Sequence, residues 1–309
     1  MPPKSKVKIT LFSGGSGNVR FINLINSLPS VELNILVNGY DDGKSTGEIR
    51  KYIPGILGPS DFRKNISHLI NKDNFNGKIF YNIFNYRFQK SITKKNFKSF
   101  LKLDVNNKIV KNLKISDLSY QKFMMIKNYL NIFYSYYCKR PLLNLPDISL
   151  GNVLIASAFL KNKKNFNKSL YDIQNFLEIK NKVLNITKGE NLFLNAVLED
   201  GTFISNEEHL VQIPHQSKVE DIFLLKKKLS RKEVKLLNSQ KNKNKKSVLK
   251  KSSISPKINT EVASVIKNSD IIIYGPGTQF SSLFPSYLTV GLRKLIEKSK
   301  AKKFLVTNI

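Results

Sequence analysis

The 309-residue sequence carries 52 Lys and Arg against 22 Asp and Glu, a formal net charge of +30, with 41% hydrophobic residues and a single cysteine. Its length allows one large domain or two, and the lone Cys138 excludes an internal disulfide or a multi-cysteine metal site and reads as a small buried hydrophobe in a reducing compartment. The charge alone would suit nucleic acid, but lysine keeps company with asparagine and isoleucine along the whole chain, as AT-rich codon drift produces, so nucleic acid is not expected as a partner.

Residues 1–8 are basic and run straight into an apolar strand, with no long apolar core and no cleavage site, so no signal peptide is expected. The run 7–12 reads as a buried strand, 19–28 has the i, i+3, i+4 spacing of a helix, and 31–37 reads as a second strand. This β-α-β opening predicts an α/β, Rossmann-like, doubly wound fold with a mainly parallel sheet, whose ligands bind beyond the carboxyl ends of the strands. A helix is expected over 61–69, with Ser60 as its N-cap. Residues 74–140, rich in Phe, Tyr and Lys, read as a variable insertion, irregular at first and helical over 118–137. Helices are expected over 149–160 and 166–177; the first is far shorter than the roughly 20 residues of a membrane span, and a cytoplasmic protein without membrane contact is expected.

Short strands at 182–186, 192–198 and 202–205, with Glu199, Asp200 and Gly201 turning a hairpin, make a small β region. A basic insertion follows over 226–256. Between Lys226 and Lys251 stand twelve basic residues and one acid, Glu233, and 241–246 holds nothing apolar, so the segment is expected to be solvated and mobile. A helix at 260–267, a strand at 270–274, a helix at 287–298 and a strand at 303–307 restore the α/β rhythm, and 1–309 reads as one domain. Ending on a strand, with nothing beyond its carboxyl end, suggests that a C-terminal segment is missing.

Four loops hold the candidate chemistry. Ser13, Gly14, Gly15, Ser16 and Gly17 leave the first strand and open a helix, where bare backbone N–H groups can face a phosphate. Their spacing matches neither the Rossmann nor the Walker pattern, and a plain tight turn explains them equally well. Asp41, Asp42, Gly43, Lys44, Ser45, Thr46 and Gly47, with Arg50 beyond, follow the second strand. The two carboxylates could hold Mg2+ or orient a hydroxyl, and the cation and hydroxyls could meet phosphate oxygens; a solvated polar turn accounts for them too. In the third loop Asp61 could serve only the helix dipole, and Arg63 could pair with it or reach an anion. Gly275, Pro276, Gly277 and Thr278 form a second glycine turn after a strand. His68, His209 and His215 lack metal-ligand spacing and read as structural or surface residues.

In order along the chain, the glycine turn, Asp-Asp-Gly-x-Ser-x-Gly-x-x-Arg (41–50), Pro-x-Asp-x-Arg (59–63), Ser149-Leu150-Gly151-Asn152, Leu198-Glu199-Asp200-Gly201, and the stretch from Asp270 through Gly277 to Pro285 resemble the 2-phospho-L-lactate transferase superfamily, more closely its gluconeogenesis-factor branch. The resemblance runs over 7–309, interrupted by 74–140 and 226–251. It implies phosphates cradled by Gly14, Gly15, Ser16, Gly17, Gly275, Pro276, Gly277 and Thr278. Asp41 and Asp42 are implied as catalytic residues and as ligands of Mg2+, with Ser45 and Arg50 on a diphosphate and Asp61, Arg63 and Asn152 completing the pocket.

The implied function is a nucleoside-diphosphate-binding protein that could transfer a phosphate-linked group from a nucleoside diphosphate carrier to an acceptor hydroxyl. The alternative is a non-catalytic, UDP-sugar-binding gluconeogenesis factor that regulates carbon metabolism and cell-wall synthesis. A homodimer is implied as well. Four positions depart from the branch: Ile148 stands where it has His, Phe280 where it has Tyr, Lys44 where it has Gly and Lys64 where it has Asn. The first two lose a hydrogen-bonding group, and the last two add charge suited to a more anionic ligand.

Overall fold

In the computed structural model, which describes residues 6–205, 210 and 218–307, the first apolar run forms β1 (Val7–Phe12), followed by α1 (Val19–Asn26) and β2 (Val31–Val37). Next come α2 (Lys44–Tyr52), α3 (Ser60–Leu69), α4 (Phe75–Asn85), α5 (Lys94–Leu101), α6 (Lys108–Asn112), α7 (Tyr120–Lys139), α8 (Leu150–Lys161) and α9 (Phe166–Phe176). The strands β3 (Lys182–Asn185), β4 (Phe193–Leu198), β5 (Phe203–Ile204) and β6 (Val219–Leu225) precede α10 (Arg231–Asn238), α11 (Asn242–Ser252) and α12 (Thr260–Lys267). The chain then runs through β7 (Ile271–Tyr274), a π-helical turn Gln279–Leu283, α13 (Phe284–Tyr287), α14 (Leu292–Lys298) and β8 (Lys302–Leu305). His209, His215 and the end of the chain at 308–309 lie outside the described residues.

The fold is α/β and Rossmann-like, built on a mainly parallel five-stranded sheet in the order β3-β2-β1-β7-β8. β1 pairs in parallel with β2 (Phe12 opposite Leu36) and with β7 (Phe12 opposite Tyr274), and β7 pairs in parallel with β8. A strand flanked on both sides has no exposed edge, and β1 accordingly buries Ile9, Thr10, Leu11 and Phe12 in an unbroken run. A second, antiparallel sheet has the order β5-β4-β6. Its β4–β5 hairpin turns where the sequence places it: Gly201 takes a positive φ of 86° and donates its N–H to Leu198 O at 2.9 Å. β6 was not expected, because its charged first half, Val219-Glu220-Asp221, hides the apolar half.

Tertiary packing groups the chain into two compact units, Met1–Asn18 with Ser30–Gly43 and Asn185–Ile309, and Val19–Pro29 with Lys44–Leu184. In the second unit, the stretch expected to be irregular before 118 instead folds into α4, α5 and α6, each opened by a side-chain cap: Asn74 accepts from Gly77 N, Thr93 from Asn96 N and Asn107 from Ile109 N. Buried aromatic rings hold these helices, with Phe88 edge-on to both Phe97 and Phe100. Ser60 is not the cap of α3. It lies inside the helix behind Pro59, and its hydroxyl accepts from Thr46 Oγ1 and Asn152 Nδ2. Cys138 is exposed rather than buried; α7 buries Ile126, Tyr129, Leu130, Phe133 and Tyr137, and the next residue turns about 100° off that stripe.

In the first unit, the basic segment forms α10 and α11. A capping box between Ser230 and Glu233 starts α10, and Leu237 and Leu249 pack with Val197, Phe203, Phe223 and Leu225 of the antiparallel sheet. Leu237 and Leu249, with Val234 beside them, seat both helices among the lysines, and even Lys245 is buried, its ammonium donating to Gly201 O. The helix expected over 287–298 is broken at Gly291, which takes a φ of 88°.

Candidate functional site

Three loops of the first unit leave the same edge of the parallel sheet, because β1, β2 and β7 run in one direction and Phe12 at the end of β1 lies opposite Leu36 and Tyr274 near the ends of the other two. The turn after β1 carries Gly14, Gly15, Ser16 and Gly17, the loop after β2 carries Asn38, Asp41 and Asp42, and the turn after β7 carries Gly275, Pro276, Gly277 and Thr278. The two glycine turns are pressed together. Asn18, fully buried, donates to Ser13 Oγ and to Pro276 O, each at 3.0 Å. A methyl group on Gly275 would fall 2.5 Å from Asn18 Oδ1, one on Gly14 2.4 Å from Ser282 Cβ, and one on Gly17 3.0 Å from Pro276 O. Packing therefore demands glycine at 14 and 275 and leaves little room at 17. Gly277 differs: a methyl there meets nothing within 4 Å, so open space lies where a side chain would stand.

The π-helical turn after Thr278 contributes hydroxyls that sequence reasoning passed over. Thr278 Oγ1 lies 2.6 Å from Ser281 Oγ and 2.9 Å from Ser282 Oγ. Asn38 ties the loop after β2 to the same segment, donating to Ser282 O and, at 3.3 Å, to Ser286 Oγ. Short π turns interrupt regular hydrogen bonding and recur at functional sites. Only the run Ser281-Ser282 hinted at them in sequence, whereas Asn18 and Asn38 follow strands 1 and 2 at positions where an Asn side chain commonly bonds nearby backbone.

Asp41 and Asp42 stand at the end of this loop. Asp41 Oδ1 accepts from Gly43 N at 3.0 Å. Asp42, whose side chain is 6% exposed, pairs its Oδ2 with Lys228 Nζ at 2.6 Å.

The other expected residues belong to the second unit, where they form a buried polar network. On α2 the buried positions Ser45, Thr46, Ile49 and Arg50 share one helical face. Ser45 Oγ accepts from Ser149 N at 3.3 Å and from Asn152 Nδ2 at 3.2 Å, and the same amide donates to Ser60 Oγ at 2.9 Å. Arg63 donates to Phe84 O at 3.1 Å and Asn85 Oδ1 at 3.0 Å. Burial pushes its guanidinium down to about 10, nearby Arg87 adds to the effect, and Asp61 opposes it. Asp61 itself pairs with Lys64 at 3.2 Å. Gly151 permits this arrangement, since a methyl there would lie 2.7 Å from Phe84 O and 2.8 Å from the Arg63 side chain. Asn152 Oδ1 and Arg63 Nε remain buried without a hydrogen-bond partner among the described residues.

Lys44 and Phe280 acquire physical meaning here. Lys44 takes a φ of 34°, a left-handed conformation that favours glycine, so the residue that stands where the branch has Gly keeps a glycine's backbone. Phe280 stacks on Phe284 with centroids 5.1 Å apart, and Ile148 is fully buried.

The family model described as 2-phospho-L-lactate transferase CofD matches residues 9–309. The chain belongs to the CofD family. Among relatives, the gluconeogenesis factor of Listeria innocua is 24% identical, covering 100% of this chain and 69% of its own length. That of Bacillus subtilis is 22% identical, covering 98% and 68%. A crystal structure of a UPF0052-family protein from Bacillus halodurans superposes with a TM-score of 0.65 at 20% identity, covering 99% of this chain and 70% of that one; it shares the fold. In this CofD-family chain no described helix is long and apolar enough to cross a membrane. Among the described residues, no three or more His, Cys, Asp or Glu gather into a metal-binding group.

Proposed function

We propose that this CofD-family chain binds a nucleoside diphosphate or nucleotide sugar, with its phosphates on the 14–17 and 275–278 turns. The observation that carries this reading is the contrast within the cradle. Gly14, Gly17 and Gly275 are glycines because protein atoms crowd them, while Gly277 has no such neighbour. A glycine with open space where a side chain would stand, followed by the hydroxyl of Thr278 and those of Ser281 and Ser282 at the carboxyl edge of a parallel sheet, leaves room for phosphate oxygens.

Transfer of a phosphate-linked group to an acceptor hydroxyl is the second reading, and it rests on Asp41 and Asp42. Such transfer depends on positioning and charge neutralisation rather than on a protein nucleophile. Two adjacent carboxylates, joined by phosphate oxygens of the ligand, are a donor set that suits Mg2+; the metal would supply charge neutralisation at the diphosphate. Asp41 or Asp42 would orient the acceptor hydroxyl. The buried second-unit network makes Ser45, Asn152 and Arg63 positioning groups for the helices that carry them.

Calorimetry with UDP-sugars, GDP and GTP, with and without Mg2+, tests both readings on wild type, Gly277→Ala and Asp42→Ala. Gly277→Ala is expected to keep the wild-type melting temperature and lose nucleotide affinity, because its methyl intrudes only on the ligand. Folded wild-type protein that binds none of these nucleotides sinks both readings. Phosphorus NMR of a bound carrier with candidate alcohols separates transfer from binding.

A further inference from the structure

Asp42 is anchored by a residue 186 positions away in the chain. Lys228 lies in the short connection between β6 and α10, and its ammonium reaches the Asp42 carboxylate at 2.6 Å. Two other lysines of the segment are spent locally. Lys227 bonds Glu233 at 2.7 Å, and Lys246 bridges Glu220 and Asp221. Lys228 by contrast leaves its own segment for the loop after β2. Its side chain is half exposed, at 52%, against 6% for Asp42. An ammonium carries three N–H donors, and among the described residues Asp42 takes one of them.

A diphosphate placed beside Asp41 and Asp42 meets like charge, which costs affinity unless a cation lies between. Mg2+ held by both carboxylates would have to compete for Asp42 with the ammonium already on it. We infer that Lys228 is the resident cation of the ligand site: it neutralises Asp42, offers its remaining donors to the ligand's phosphates, and so frees nucleotide binding from a divalent-metal requirement. This rests on the nucleotide-phosphate reading above. Lys228 and Mg2+ are then alternative partners of one carboxylate, and the basic segment, through this single lysine, sets the metal dependence of the site.

Titration of UDP and GDP into the full chain, in EDTA and in Mg2+, tests the inference on wild type, Lys228→Met and Lys227→Met. The last variant removes the same charge from the neighbouring, Glu233-bound position. Wild type and Lys227→Met are expected to bind alike in both conditions. Lys228→Met is expected to lose about tenfold to a hundredfold in EDTA, the worth of a charge-assisted hydrogen bond, and to recover in Mg2+. Mg2+ titrated alone is expected to bind Lys228→Met more tightly than wild type, since Asp42 loses the competing ammonium. Wild type that needs Mg2+ for nucleotide binding, or Lys228→Met that matches Lys227→Met at equal melting temperature, overturns the inference and leaves the nucleotide reading standing. Wild type that binds neither nucleotide in either condition removes the nucleotide reading. The inference falls with it.

Discussion

A methyl group at Gly275 would lie 2.5 Å from Asn18 Oδ1 and 2.8 Å from Phe12 O. The second of these neighbours is backbone of the central strand and cannot step aside. Gly275→Ala is therefore expected to cost about 1–3 kcal/mol, the usual penalty of overpacking, seen as a lower urea midpoint with an unchanged slope. Gly277→Ala, two residues on, should leave that midpoint alone, and equal midpoints for the two variants would contradict the packing account. Sequence alone reads both glycines as parts of one turn, because neither the nearness of Asn18 nor the open space at Gly277 is encoded within the turn itself. The same holds for Asn152. Its place in a family-like segment is legible, but its role as a double donor between Ser45 and Ser60 requires three helices to meet.

Elements with one strong period were readable, and those held by caps and long-range packing were not. β1, β2, β7 and α12 fall within a residue or two of expectation because their apolar runs are uninterrupted. α4, α5 and α6 are short and rich in aromatics, which blurs helical periodicity, yet Asn74, Thr93 and Asn107 were visible N-cap signals. In α10 and α11 the lysine count outweighed two leucines in the reading, although in the structure the leucines decide the packing. Leu249, 2% exposed among six buried apolar side chains of one cluster, gives the test: Leu249→Ala is expected to cost about 2–5 kcal/mol, measured by chemical denaturation. A loss under about 0.5 kcal/mol would mark the segment as an undocked surface arm.

At the scale of the molecule, a net charge of +30 works against compactness through self-repulsion. Raising sodium chloride from about 0.02 M to about 0.2 M shortens the screening length from roughly 20 Å to under 10 Å and is expected to raise the melting temperature. A flat or falling melting temperature would show that local pairs such as Lys246 with Glu220 and Asp221 outweigh the repulsion. Those pairs also bear on nucleic acid, since Lys227, Lys228, Lys245 and Lys246 of the basic segment are already engaged with protein groups. By itself, the sequence determined the α/β class, the positions of its main strands along the chain, the placing of two glycine turns after β1 and β7, and, through six ordered segments, the family resemblance that residues 9–309 bear out. These are local matters, set by apolar periodicity and by residues adjacent in the chain. Only the tertiary structure decided that Asn18 bridges the two turns, that Gly277, unlike Gly14, Gly17 and Gly275, faces space, and that Lys228 sits on Asp42. Such pairings join residues far apart in the chain, and strand order and burial bring them within bonding distance where no local pattern can.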